Sequence, residues 1–318
     1  MSHSNTELSP DNALAVKEAK RVTWIGFFVN AALGVLKIGA GIIGRSSAMV
    51  ADGFHSLSDF LSDIIVLVFV SVSRRRANDT YQYGHGKYET FATMLLSMFL
   101  FAVGVAFFVD GVVKIREAFR GVELPRPGMI ALVMGFVSIG AKEWLFHITR
   151  RVGQRFNMAS VIANAWHHRS DSLSSIATII GIGGAMFLGP QWRVLDPIAA
   201  IVVAIFIIAV AYKLGIPAVR ELLEVSLPEE TQLEIGNIIY ATPGVKAYHH
   251  LRTRRVGNNI ALDFHIKVNP EMTIDAAHAI SNMLEKHLEQ RYGEDTIVNI
   301  HIEPYRNEII DTWGRCKD

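Results

Sequence analysis

Cysteine is almost missing from this chain: one residue, Cys316, stands near the end of 318. A single thiol excludes an internal disulfide framework and a Cys-rich metal site. Excess charge is missing as well. Lys and Arg number 31 against 30 Asp and Glu, a formal net charge of +1. Bulk electrostatics therefore points to no nucleic-acid partner and no acidic one. Residues 1–21 are polar and hold no apolar stretch, so they do not read as a cleaved signal peptide. The His-Glu-x-x-His signature of a metal-dependent hydrolase is also absent.

What is abundant is apolar side chain. Half of the residues are hydrophobic and the mean hydropathy is positive. A water-soluble domain of this length rarely carries that excess, and a lipid bilayer is the obvious place to bury it. A membrane helix needs about 20 mostly apolar residues. Six segments qualify: 22–43, 47–72, 90–116, 129–149, 159–188 and 195–214. Basic residues at the span ends divide about twelve against six, with Lys17, Lys20, Arg21, Arg74, Arg75, Arg76, Arg150 and Arg151 on the richer side. The positive-inside rule then places both termini in the cytoplasm.

After Pro217 the apolar runs shorten and alternate with charge, so residues 215–318 read as a separate domain outside the membrane. Helices are expected over 228–241 and 274–291. Strands are expected over 248–256, 260–268 and 296–303, the first two joined by a turn at Gly257-Asn258-Asn259. In the second strand Leu262, Phe264, Ile266 and Val268 share one face, and Asp263, His265 and Lys267 the other. In the third, His301 and Glu303 share the polar face. The expectation is a six-helix membrane bundle followed by a small α+β domain that resembles metallochaperones, of ferredoxin type.

Ionisable side chains inside apolar spans are costly and mark function. The second span carries Asp52, His55, Asp59 and Asp63; the fifth carries His167, His168, Arg169 and Asp171. The pattern His-x-x-x-Asp occurs in both, as His55 with Asp59 and His167 with Asp171. Residues four apart stack on one helix face, about 6 Å from each other. Two such pairs on facing helices offer four N/O ligands, a set that suits tetrahedral zinc. Imidazole and carboxylate bind metal only when deprotonated, so metal and protons compete for them. That competition is the minimum a metal/proton exchanger requires.

These two segments, with YGHGKYE after the second span, KEWLF in the fourth and LDPIAA opening the sixth, resemble the cation diffusion facilitators over nearly the whole chain, from about residue 15 to residue 304. The resemblance implies an intramembrane transport site of His55, Asp59, His167 and Asp171, of the composition found in zinc-type members. It implies a homodimer in a lipid bilayer, with protons as counter-substrate and zinc or another divalent ion as cargo. It also implies metal binding in the C-terminal domain through His249, His265, His278, His301 and Glu303. His250 is adjacent to His249, and the sequence alone does not choose between them. His278 lies on a helix and needs a partner subunit to bring it in. Some members bind a further metal in the loop after the second span. There His85 matches and Asp79 stands near the acidic position, but Tyr81 occupies the place of one histidine.

Asp52, Asp63 and Asp196 are secondary candidates for an ion path. Asp52 and Asp63 read equally as hydrogen-bonded to backbone or to Lys37, and Asp196 beside Pro197 as an N-cap of the sixth span. The compact chain looks bacterial, which implies the inner (plasma) membrane.

Overall fold

The computed structural model describes residues 10–73, 78–156, 158–257 and 259–306. Six long helices come first: α1 (Pro10–Ile43), α2 (Ser47–Ser73), α3 (Lys87–Phe119), α4 (Met129–Arg155), α5 (Ala159–Phe187) and α6 (Leu195–Leu222). A 3-10 turn, Pro190–Val194, joins the last two. Then follow α7 (Glu229–Ala241), β1 (Ala247–Val256), β2 (Asn259–Val268), α8 (Ile274–Tyr292) and β3 (Ile297–Pro304). The chain forms two compact units. One holds the segments up to Val66 and Leu95–Leu214; the other holds Leu67–Met94 and Gly215 onward.

The helices outrun the apolar windows that announce them. α1 begins at Pro10, α4 runs on to Arg155, and α6 continues past Pro217 to Leu222. Helical hydrogen bonding does not stop where hydropathy falls, and Lys, Glu, Ala and Arg are good helix formers. Pro217 removes one backbone donor without ending the helix. Among the described residues four helices are long and apolar enough to cross a membrane: Lys17–Ile43, Lys87–Phe119, Met129–Arg155 and Pro190–Leu222. The matched His and Asp residues lie on α2 and α5.

In the first unit, α5 packs on α4, and α4 on α1. One buried cluster joins Ala48, Met49, Leu132, Ile182 and Ala199. Another joins Ala51, Leu96, Leu100, Val203 and Ile207. Outward-facing positions stay apolar, with Phe28, Val35, Phe101, Phe136 and Ile205 exposed, the reverse of a soluble bundle and the arrangement lipid requires. Small residues set the helix spacing. A Cβ on Gly181 of α5 would run into the Ala199 side chain of α6, so glycine is what lets these two backbones approach.

The second unit contains a three-stranded sheet in the order β1-β2-β3. β1 and β2 pair antiparallel and β2 and β3 parallel, so α8 serves as the crossover that parallel neighbours require. The αββαβ order is the ferredoxin-type arrangement without its opening strand; residues 223–228 lead directly from α6 to α7. Alternation along β2 holds as expected: Leu262, Phe264, Ile266 and Val268 are buried in the core with Ile239 and Leu284. Asn258 lies outside the described residues.

Gly236 of α7 packs directly on the Tyr248 hydroxyl, which occupies the place of any added Cβ. Gly236→Ala is expected to lower the stability of this domain by ~1–3 kcal/mol, with Tyr248→Phe in the same chain recovering part of it. Calorimetric unfolding of the full chain measures both.

Candidate metal centre

Helical spacing places His55 one turn from Asp59 on α2, and His167 one turn from Asp171 on α5. Packing brings three of the four together: His55, Asp59 and Asp171 each offer a ligand atom within 4.8 Å of the others. His55 and Asp171 are buried. His55 Nδ1 and Asp59 Oδ2 are buried with no hydrogen-bond partner, an arrangement that costs free energy unless something answers it. His167 does not join the group. Its Nδ1 lies 3.6 Å from Asp171 Oδ1, and 58% of its side chain is exposed. It stands at a cavity of about 260 Å³ that Asp59, Asp63, Asn30 and His168 also line. The expected four-ligand convergence is thus three converging groups with the fourth at the rim.

Two lysines, neither given a ligand's role by sequence reasoning, enter this layer. Lys142 of α4 places Nζ 2.8 Å from Asp171 Oδ2 and 3.6 Å from Asp59 Oδ2. Lys37 of α1 places Nζ 2.8 Å from Asp52 Oδ2. Both are almost fully buried. KEWLF contains Lys142 in plain view, and the rule that flags charges in apolar spans applies to α4 as it does to α2 and α5. His168, beside His167, was also given no role; both of its ring nitrogens are buried without a hydrogen-bond partner.

The secondary candidates separate clearly. Asp52 is no open waypoint: besides Lys37 it accepts from Ser175 Oγ at 2.9 Å and Ser174 Oγ at 3.2 Å, and Lys37 also donates to Ser56 and Ser175. These bonds tie α1, α2 and α5 together. Asp63 alone of the three lines the cavity. Asp196 lies in the first turn of α6, but it caps a different helix: its carboxylate accepts from the Ser46 hydroxyl and from the Ser47 backbone N–H at the start of α2. Ser46 Oγ in turn accepts from Met49 N. The tertiary fold redirects a cap that local sequence would assign to α6 itself.

The loop site is not assembled. His85 is buried between Tyr81 and Tyr88, with ring centroids at 4.6 and 5.7 Å, and the two tyrosine hydroxyls are hydrogen-bonded. Asp79 is exposed, and among the described residues no metal-capable group includes either residue. The tyrosine at 81 gives the histidine an aromatic cage in place of a fellow ligand.

In the C-terminal domain, strand register does what helical spacing does in the bundle. His249 pairs with His265 across β1 and β2, and His265 with His301 across β2 and β3. Glu303 lies two residues beyond His301, on the same face. Its carboxylate meets His249 Nε2 at 3.0 Å and His265 Nδ1 at 2.9 Å, and the three form a second metal-capable group. Of the adjacent pair, His249 and not His250 belongs to this group. An irregularity in the strand between His249 and Arg252, with His250 at φ 51°, leaves the His250 ring tilted against that of His249, with centroids 4.4 Å apart. His301 stands at the margin, with Nε2 3.8 Å from Glu303 and its ring 4.7 Å from that of His265. His278 lies apart on α8, hydrogen-bonded to Asn282.

Burial would raise the Glu303 pKa. Hydrogen bonds with His265 and His249, and the charges of His249 and Lys267, more than reverse this and hold it at about 2, against 4.5 ordinarily. A carboxylate so held stays ionised and ready for a cation across the physiological range.

Comparison with known proteins agrees in both regions. The family model described as "Cation efflux transmembrane domain" matches residues 23–223, and "Cation efflux protein, cytoplasmic domain" matches residues 227–305. Metal tolerance protein C1 of Arabidopsis thaliana is 32% identical over 91% of this chain and 63% of its own, so the chain spans less than two thirds of that longer relative. Magnetosome protein MamM of Magnetospirillum gryphiswaldense is 30% identical over 92% of this chain and 90% of its own. Manganese efflux system protein MneP of Bacillus subtilis is 28% identical over 91% and 97%.

Two outcomes follow from this geometry. In metal-free protein, Glu303 has its folded pKa below its unfolded value. It therefore contributes stability that is present above about pH 4.5 and lost as pH falls toward 2. Calorimetry against pH should show the C-terminal unit weakening through that window, and Glu303→Gln should remove the step. Asp196→Ala should lower the stability of the helical unit by ~0.5–2 kcal/mol, the usual cost of a lost cap, read as a drop in unfolding temperature.

Proposed function

This chain belongs to the cation efflux family of multi-pass membrane transporters, the cation diffusion facilitators, and on that premise we propose that it exports zinc across the bacterial inner membrane in exchange for protons. The observation that carries the reading is the convergence of His55, Asp59 and Asp171 inside an apolar bundle, with an imidazole nitrogen and a carboxylate oxygen left unpartnered. His167 completes the set when its side chain turns in from the cavity rim. Four N/O ligands without a thiolate hold zinc and still release it when they protonate. The cavity beside Asp59 and Asp63 is the entry path. The membrane-spanning part is residues 22–214 and both termini are cytoplasmic.

The C-terminal domain, residues 215–318, senses metal. His249, His265 and Glu303 hold an ion there, His301 joins from the margin, and His278 reaches the same ion from the partner in a homodimer. Neutral His and ionised Glu303 are the forms that bind.

Manganese is the second reading, and two observations favour it. The converging triad is one imidazole and two carboxylates, a donor set richer in oxygen than zinc sites usually are and suited to manganese. A relative aligned over almost its whole length is named a manganese efflux system protein.

The test is the full chain in vesicles with an imposed pH gradient, offered zinc, manganese, cadmium and iron in competition. Wild type should move zinc at the expense of the gradient. His55→Ala and Asp171→Ala should each cut flux by more than about tenfold, since even outer partners of a metal ligand cost that much. His55→Asp should shift preference from zinc toward manganese. Wild-type flux from an Asp171→Ala protein would end the proposal.

A further inference from the structure

Lys142 stands among the groups of the proposed transport site, not beside them. It is 1% exposed. Its Nζ donates to Asp171 Oδ2 at 2.8 Å and lies 3.6 Å from Asp59 Oδ2. These are the two side chains that converge with His55. An ammonium placed between two carboxylates occupies the electrostatic position of a bound cation, with the difference that it is tied to α4 through a four-carbon stem.

We propose that Lys142 is the tethered cation of the empty carrier: its ammonium holds Asp59 and Asp171 while metal is absent, and a divalent ion loads by displacing it. The inference rests on the transport reading and adds to it how the charge of the unloaded site is partly compensated and what sets its affinity. A metal bonded to both carboxylates and a lysine hydrogen-bonded to one of the same oxygens cannot share the site unchanged. Like charges at that separation repel strongly in a desolvated interior. Lys142 therefore weakens metal binding. In the empty carrier it has the opposite effect, because two carboxylates facing each other in the membrane without a counter-charge are costly.

The second buried lysine provides the contrast. Asp52 is fully answered by Lys37, Ser174 and Ser175 and belongs to neither metal-capable group. That pair is built to stay closed. At Lys142 one contact is short and one long, and Asp59 Oδ2 and His55 Nδ1 remain without a hydrogen-bond partner. The arrangement is one ligand short of satisfied, which is what a site awaiting exchange of its cation requires.

The experiment compares wild type with K142M, which keeps the stem and removes the charge, in vesicles supplied with zinc ion or manganese ion. The KM for metal should fall by about tenfold or more, the scale on which a like charge within about 4–6 Å alters a site. The kcat should fall with it, because the unloaded carrier returns with its carboxylates uncompensated. In detergent, metal should raise the unfolding temperature of K142M by more than it raises that of wild type. K142R, which keeps the charge, should return KM toward the wild-type value. A lysine that merely props α4 against α5 predicts the reverse, a K142M chain with KM raised or unmoved, and that result overturns the inference. K142R behaving as K142M overturns it too. Where K142M does not accumulate, K142Q carries the same test. A wild type that moves neither ion overturns the transport reading and the role of Lys142 with it. A wild type that moves metal beside a K142M chain of unchanged KM overturns only the latter.

Discussion

Charge inside an apolar bundle has to be answered at short range, and the helical unit is organised around that constraint. Asp52 is answered by Lys37 at 2.8 Å and by two serines. Asp171 and Asp59 are answered by Lys142 at 2.8 and 3.6 Å. Taken with half-buried Asp63, four carboxylates meet two ammonium groups, a formal deficit of two charges in this layer. One divalent cation cancels it. The helices that supply these groups, α1, α2, α4 and α5, are held in place partly by the same contacts, so charge compensation and helix packing are one problem here.

The chain gathers metal-capable side chains twice with different backbone geometry. In the bundle, a step of four along a helix sets each His over its Asp, and two helices must then face each other. In the C-terminal domain, strand register sets His249, His265 and His301 side by side across three strands, and a step of two along β3 adds Glu303. The environments differ as well. The bundle group is mostly buried, with Asp59 reaching the cavity at its edge, and its side chains must find their partners largely among themselves. The sheet site is half-exposed, and its carboxylate is already occupied by two imidazoles. On the proposed reading the first carries an ion through an apolar layer and the second responds to ions dissolved in water.

Smaller features hold the first arrangement steady. Gly181 lets α5 approach α6 more closely than any side chain would allow, and that fixes where α5 presents Asp171. Asp196 of α6 caps α2 through Ser46 and Ser47, which anchors the start of the helix carrying His55 and Asp59. A residue that sequence alone offers as a waypoint for ions turns out to act on the backbone of a neighbouring helix.

The chain's own order of residues determined a good deal. Hydropathy marked the six helices, and alternation in β2 marked the buried face, because burial imposes a period that composition must obey. Spacing paired His55 with Asp59 and His167 with Asp171, because helix geometry is local. The rest depended on contacts between segments distant along the chain. That Lys142, 29 residues before Asp171 and 83 after Asp59, lies between the two carboxylates follows from how α4 packs on α5. That His167 stays at the rim, that His249 and not His250 meets Glu303, and that His85 is caged by tyrosines are likewise matters of rotamer, strand irregularity and packing. Periodicity tells which face a residue occupies; only the assembled fold decides what stands opposite that face.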